Sequence, residues 1–163
     1  MPRPRAFDEE TVVESAARLF ARRGFDAVSI DDLVGDLGIH RNSLYRTFGS
    51  KRGLYLRALR AARRQILQVM SAADPLQNLC RAVTSEEIGA LDLLLMAAIE
   101  QGRADPEIAA EVAGAFAELD GYTAVLGNGT LSTATLLGLR LRVCVGEEMA
   151  HLPPNRPGRQ TDQ

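Results

Sequence analysis

The 163-residue sequence has few of the side chains on which catalysis and metal binding usually depend, with only two histidines and two cysteines. Neither pair has a metal-ligand spacing, and no Ser/His/Asp set or Gly-rich phosphate loop is present. We therefore expect a protein that is not an enzyme and that needs no cofactor. Cys80 and Cys144 suit a reducing interior, so we expect buried or half-buried structural thiols, with a redox-sensing pair as the alternative.

Long apolar runs are also missing, since no stretch of 18 or more residues is continuously apolar. A transmembrane span is therefore not expected. The first five residues, Met-Pro-Arg-Pro-Arg, lack the apolar stretch of a secretory signal. A hydrophobic content of 46% is ample for a packed core. These features predict a folded cytoplasmic protein with no membrane partner.

The most informative stretch of the chain runs from residue 28 to residue 54. Ser29 followed by Asp32 forms a capping box for a helix, which Gly38 ends in a left-handed turn. The next segment, residues 40–48, places Leu44 and Phe48 on one inward face and polar or basic residues elsewhere. A short polar helix after a glycine turn is typical of a helix-turn-helix, whose second helix enters the DNA major groove.

The segment GIHRNSLYRTFGSK, residues 38–51, resembles the DNA-binding signature of the TetR family of transcriptional regulators. The resemblance covers about residues 7–64 and includes the upstream segment Phe20-Ala-Arg-Arg-Gly-Phe25. It implies a three-helix DNA-binding head followed by a helical body that binds a small inducer between its central helices. His40, where the family commonly has a capping Ser or Thr, and Gly53, where it has an acid, depart from the family pattern.

The residues of the recognition helix carry the expected DNA contacts. Arg41 and Asn42 lie at its exposed start, where Arg can pair with guanine and Asn with adenine, although either could be a solvated helix residue. The family pattern implies a phosphate or base contact for Ser43 and a phosphate contact for Tyr45. The full set expected to bind DNA is Ser29, His40, Arg41, Asn42, Ser43, Tyr45, Arg46, Thr47 and Lys51.

Two of these residues have a separate argument. Lys51 opposes the dipole of the helix that follows Ser50, a cost that a phosphate at the same helix end would offset. Ser29 is first a cap, and the family pattern adds a phosphate contact. Charge points the same way, since residues 1–64 have a net charge of +5 and residues 65–163 a net charge of −7. This difference suggests that the head faces DNA phosphates and that the body does not contact DNA, although ordinary surface variation is an alternative.

Helical periodicity and capping signals predict an all-α chain of about eight helices. We expect a DNA-binding domain over residues 1–52, a regulatory and dimerisation domain over 53–152 and a disordered tail over 153–163. Residues 1–6 are expected to form a flexible basic arm, and the first helix should start near Asp8. A long helix should run from Ser50 to about residue 70 as the only link between head and body. Asp74-Pro75 should begin the fifth helix, and Ser85 to Gln101 should form a strongly apolar helix. Alternation in residues 139–145 is a strand signal, but a helix is favoured because no partner strand is evident.

The body is expected to hold a ligand pocket and a dimer interface. An almost wholly apolar lining predicts a hydrophobic or amphipathic ligand, although a packed core is the alternative for the same side chains. The predicted lining residues are Ile66, Met70, Leu91, Leu95, Ile99, Phe116 and Tyr122. The last two helices should pair with their copies about a two-fold axis, with Leu136, Leu139 and Val143 facing the partner.

The sequence thus predicts a homodimeric repressor that binds a palindromic operator on double-stranded DNA and is released by a small apolar ligand. A TetR-like activator or a ligand-independent regulator is the alternative in the same class. An enzyme or a small-molecule carrier is much less favoured, because no catalytic constellation is present.

Overall fold

The computed structural model describes residues 8–71, 73–85, 89–126 and 132–146, which contain eight α-helices and no strand. The predicted all-α fold is confirmed. The basic arm at residues 1–6 and the tail at 153–163 lie outside the described residues, and the predicted domain boundaries stay predictions. The helices are α1 Glu9–Arg23, α2 Ile30–Leu37, α3 Arg41–Phe48, α4 Lys51–Met70, α5 Pro75–Thr84, α6 Ala90–Glu100, α7 Pro106–Leu126 and α8 Thr133–Cys144.

Local capping explains where the helices begin. Side chains of Asp8, Ser29, Ser50, Asp74 and Ser132 each accept a hydrogen bond from a backbone N–H in the first turn that follows. Each of these bonds satisfies one of the N–H groups that a helix leaves without an internal partner. The expected starts of the first, second, fourth and fifth helices are therefore confirmed.

Packing assembles these helices around α4. Helices α1 and α6 pack against α4 and against each other, α7 packs on another side of α4, and α5 packs on α8. One continuous core results, which includes Phe20 and Leu44 in the head and Leu94 and Leu119 in the body. None of the helices in the described ranges is both long enough and apolar enough to cross a membrane.

A buried ion pair joins the last helix to the rest of the body. The Nε and Nη2 atoms of Arg140 donate to the two carboxylate oxygens of Asp92 at 2.8 and 2.7 Å, and the backbone N–H of Gly89 also donates to Asp92 at 2.7 Å. Burial raises the pKa of Asp92, but the hydrogen bonds from Arg140 and Gly89 outweigh it and hold that pKa below its usual value. The carboxylate is therefore charged and paired inside the body.

This pair accounts for the alternation that gave a strand signal in residues 139–145. The strand alternative is wrong, because Thr133–Cys144 is a helix. Arg140 is only 2% exposed, whereas Leu141 is 48% exposed. The arginine thus takes an inward position that the sequence pattern would assign to an apolar residue.

Two further expectations are corrected. The apolar helix predicted from residue 85 begins at Ala90, because Ser85 ends α5 and Gly89 is the N-cap of α6. Both cysteines are exposed rather than buried or half-buried. The thiol of Cys144 nevertheless donates to Asp92 at 3.3 Å, and desolvation and this carboxylate raise its pKa.

Candidate nucleic-acid interface and body groove

The helix-turn-helix is built from local bonds around a small core. The N–H of Ser29 donates to the carboxylate of Asp32 at 2.8 Å, and the N–H of Asp32 donates to the Ser29 hydroxyl at 3.1 Å. Gly38 has φ +62°, a left-handed conformation that glycine adopts at little steric cost. Leu44 and Phe48 are buried beneath α3. The predicted capping box and turn are confirmed, and they fix how α3 lies on the head.

The outer face of α3 presents most of the residues expected to bind DNA. Ser43 and Thr47 are half-buried at the edges of this face. His40 is the N-cap residue of α3, and its side chain makes no capping hydrogen bond there. A weaker cap was expected at this position, because the family commonly has Ser or Thr there. The exposed members are His40, Arg41, Asn42, Tyr45 and Arg46.

Arg41 pairs with a carboxylate from the preceding helix. Its Nη2 atom donates to Oδ1 of Asp31, which lies in the first turn of α2. The side chains are 51% and 83% exposed, and the hydrogen bond and charge of Asp31 raise the pKa of Arg41. Sequence reasoning singled out Arg41 but gave Asp31 no role, because a pair ten residues apart depends on how the two helices are placed.

Lys51 has a different surrounding from the one expected. Its ammonium donates to the carbonyl oxygens of Phe25 and Val28 at 2.8 and 2.9 Å. It also lies 4.2 Å from the centre of the Phe25 ring, a cation–π distance. The chain's only lysine thus ties the start of α4 to the loop between α1 and α2. These two carbonyl oxygens occupy two of the three donors of the ammonium and favour a structural role for Lys51, while the phosphate contact stays a prediction that the third donor would have to make.

The head contacts the body through a second element besides α4. The N–H of Phe25 donates to Oε2 of Glu100 at 2.6 Å, and Gln101 donates to the carboxylate of Asp26 at 3.2 Å. Gly24 permits this contact, since a Cβ atom there would lie 2.0 Å from Oε1 of Glu100. The expectation that the long helix alone links head and body is therefore wrong, because α6 packs on α1 and reaches the same loop.

A row of ion pairs joins α4 to α7 and to the residue that precedes it. The hydrogen bond from Arg52 lowers the pKa of Asp105 to about 2. Three arginines of the basic segment 1–64 are thus paired with carboxylates of the acidic remainder, so part of the charge difference between the two segments is neutralised within the chain. The ion pairs are Arg52 with Asp105 and Glu107, Arg60 with Glu107 and Glu111, and Arg63 with Glu111 and Glu118.

An open groove of about 860 Å³ lies between α1, α4, α5 and the start of α6. Its floor includes Val13, Ile66, Val69, Leu79 and Leu91. The rim is charged, unlike the almost wholly apolar lining that was expected of the predicted pocket. The charged residues that line the groove are Glu9, Glu10, Glu14, Asp92, Arg18, Arg57, Arg60 and Arg64.

Of the predicted lining, only Ile66 and Leu91 lie in this groove. Met70 is buried in the core, and Ile99 is 71% exposed on the surface of α6. This groove lies elsewhere than the predicted pocket, and α7 packs on α6 near the place where that pocket was expected. The remaining predicted residues, Leu95, Phe116 and Tyr122, are half-buried outside the groove.

The last two helices carry an apolar surface, but not the one predicted. Leu136 is buried in the core of the protomer, so its assignment to a dimer interface is corrected. Leu139 and Val143 are half-buried. The exposed large apolar residues of α7 and α8, including the turn that follows α8, are Val125, Leu141 and Val145.

The fold and this site define an all-α helix-turn-helix protein, and comparisons with known proteins agree. Residues 12–58 match the family described as bacterial regulatory proteins, tetR family. The uncharacterised regulator YezE of Bacillus subtilis is 31% identical over 121 residues, which cover 67% of this chain and 62% of YezE. The repressor BdcR of Escherichia coli is 49% identical over 57 residues, which cover 35% of this chain and 29% of BdcR.

Solved structures share the fold over most of the chain. A protein from Saccharomonospora viridis described as a transcriptional regulator, in complex with choline, has a TM-score of 0.60 at 23% identity and covers 86% of this chain and 87% of its own. A TetR-family regulator from Agrobacterium tumefaciens has a TM-score of 0.60 at 19% identity, with 85% and 83% covered. The chain belongs to the tetR family of helix-turn-helix transcriptional regulators.

Replacing Lys51 by Met should distinguish a structural lysine from a phosphate contact. Loss of the bonds to Phe25 and Val28 should lower the free energy of unfolding by about 1–3 kcal/mol. The slope of log affinity for DNA against log salt concentration should stay unchanged, because no phosphate partner is lost. Urea unfolding and binding at several salt concentrations measure the two quantities.

Arg46→Met is the matched control, since it removes a positive charge from the exposed face of α3. It should reduce that slope by about one unit per site and leave stability nearly unchanged. A lower slope for Lys51→Met with unchanged stability would restore the phosphate contact.

Proposed function

We propose that the protein is a homodimeric repressor that binds a palindromic operator through α3. The observation that carries this proposal is the exposed polar face of α3 above the buried Leu44 and Phe48. Such a helix can enter the major groove while its apolar side stays on the head. BdcR is described as a repressor. A protein that is bound to DNA can repress a nearby gene by blocking access to that DNA. Binding to DNA also implies a cytoplasmic location.

Contacts can be divided by the chemistry of the side chains on this face. Arg41 and Asn42, at the start of α3, have the donors and acceptors that read guanine and adenine edges. Tyr45 and Arg46, one turn further on, can donate to phosphate oxygens and fix the position of the head. Ser29, Ser43 and Thr47 can donate from the edges, although the Ser29 hydroxyl already serves the α2 cap.

A second copy of the chain is the proposed partner of α7 and α8. One recognition helix reads too few base pairs for useful specificity, so two heads on a palindrome are needed. Val125, Leu141 and Val145 are exposed apolar residues in this part of the body. On the outer side of α7, small exposed residues at Ala113, Ala117, Gly121 and Ala124 would let a partner helix approach closely. These features support a symmetric helical interface.

The groove is the proposed site of a small amphipathic ligand. Its floor is apolar and, apart from the buried Asp92, its charged lining has three acidic and four basic side chains, so a ligand with both an apolar part and a charged head would find partners there. The structural relative from S. viridis was solved with choline, a small cation that carries methyl groups. That relative supports an amphipathic ligand rather than a purely apolar one.

Ligand in the groove could act on DNA binding through two helices. The groove is lined by Ile66 and Val69 of α4 and by Leu91 of α6. Helix α4 begins at the head, and α6 ends at Glu100 against the Phe25 peptide. A ligand that favours another placement of these helices would change the spacing of the two heads. An activator, or a regulator that needs no ligand, is the alternative within the family.

Replacing Arg41 by Ala tests the DNA-binding proposal. Duplexes selected from a random library by the wild-type protein should bind the variant more weakly by about 1–3 kcal/mol, with relaxed preference at one position per half-site. Arg81→Ala, which removes an exposed arginine from α5, is the control and should change neither quantity. An unchanged consensus for Arg41→Ala would exclude base reading by this residue.

Replacing Leu141 by Glu tests the dimer proposal. A charge within an apolar interface loses its hydration without gaining a partner, so the variant should sediment as a monomer at micromolar concentration. Ile99→Glu places the same charge at an exposed apolar position on α6 and should remain dimeric. A monomeric wild-type protein, or a dimeric Leu141→Glu variant, would contradict the proposed interface.

Replacing Ala82 by Trp tests the ligand proposal, because Ala82 lines the groove and is half-buried. Calorimetric titration with choline and with octanoate should show binding of at least one of them to the wild-type protein. The Ala82→Trp side chain should block that binding, while Ala104→Trp, in the turn after α6, should not. Binding of neither probe would favour the ligand-independent alternative.

A further inference from the structure

The position of Asp31 is fixed by the cap of its own helix. Asp31 is the second residue of α2, between Ile30 and Asp32, and the capping box of Ser29 and Asp32 closes that first turn. Hydrogen bonds from Ser29 and from Arg23 hold the pKa of Asp32 well below its usual value, so this cap stays charged at neutral pH. The carboxylate of Asp31 therefore projects from a rigid turn.

Arg41 begins α3 on the other side of the glycine turn and bonds to that carboxylate. The pair is well exposed, with 83% of the Asp31 side chain and 51% of the Arg41 side chain open to solvent. Exposed pairs contribute little to stability, because water screens them and two side chains lose rotamer freedom. Asp31 in the first turn of α2 also favours that helix through its dipole, but this effect does not require the carboxylate to bond to Arg41 of the recognition helix.

An acidic group near DNA has two opposing effects on binding. It repels the phosphates of any duplex, which lowers affinity irrespective of sequence. It also holds a long, flexible arginine in one orientation before binding, which reduces the entropy lost when that arginine pairs with a base. If Arg41 turned to a phosphate instead, Asp31 would be left unpaired against the DNA, so such complexes would be disfavoured.

We propose that Asp31 is a specificity-determining positioning residue, which holds the Arg41 guanidinium for one base and penalises complexes in which Arg41 contacts phosphate. The inference rests on the proposed DNA-binding function. It goes beyond that function by assigning discrimination to a residue that is acidic and lies outside the recognition helix.

The test uses the full chain and a randomised DNA duplex library, with Asp31→Asn, Arg41→Ala and the double variant compared with the wild type. Asp31→Asn should lower base preference about tenfold at the same half-site position that Arg41→Ala affects. It should also bind random-sequence duplex more tightly than the wild type does. The double variant should show the base preference of Arg41→Ala alone, since the two residues act as one unit.

Asp36→Asn is the matched control, because it removes one negative charge from an exposed position on the same helix. It can raise affinity for all duplexes but should leave base preference intact. The inference is overturned if Asp31→Asn keeps the wild-type consensus, changes a position that Arg41→Ala does not affect, or adds to Arg41→Ala independently. A wild-type protein that enriches no sequence would overturn the proposed function, and this inference with it.

Discussion

Helix α4 is shared by the head and the body, and the placement of both depends on how it packs. Eight of its 20 residues are buried, with Leu54 and Tyr55 beneath the head and Ile66 and Met70 in the body. A helix of this length spans about 30 Å, which is enough to reach from the head into the body. The backbone of Phe25 connects both helices to the loop after α1. Its carbonyl oxygen accepts from Lys51 of α4, and its N–H donates to Glu100 of α6.

The parts that the sequence predicted well are those that local bonds determine. Asp8, Ser29, Ser50 and Asp74 each cap the helix that follows them, and each bond joins residues only three apart. The helix-turn-helix needs only such caps, the turn at Gly38 and a few apolar residues at helical spacing. Because these signals lie within a short stretch, both the fold of the head and the exposed face of α3 could be derived without a structure.

Features that depend on distant contacts could not be derived in the same way. Glu100 bonds to a peptide 75 residues away, and Arg140 pairs with Asp92 at a separation of 48 residues. Helix α8 is apolar around much of its circumference, so its sequence does not show which side faces the core. With Arg140 taking an inward position, Leu136 packs inside and Leu141 remains outside, a difference that the equal hydrophobicity of the two leucines could not show.

Internal ion pairs also change how charge is available to DNA. Arg52, Arg60 and Arg63 are bonded to carboxylates of α7, and Arg57 is bonded to Glu9. A phosphate that competed for them would have to displace a carboxylate already in place, so their contribution to sequence-independent binding is reduced. The positive charge that faces outward on the recognition helix is then left to Arg41 and Arg46, and Asp31 offsets the first of these. Each such pair lowers the part of the affinity that does not depend on sequence, so base contacts have more weight in deciding where the head binds.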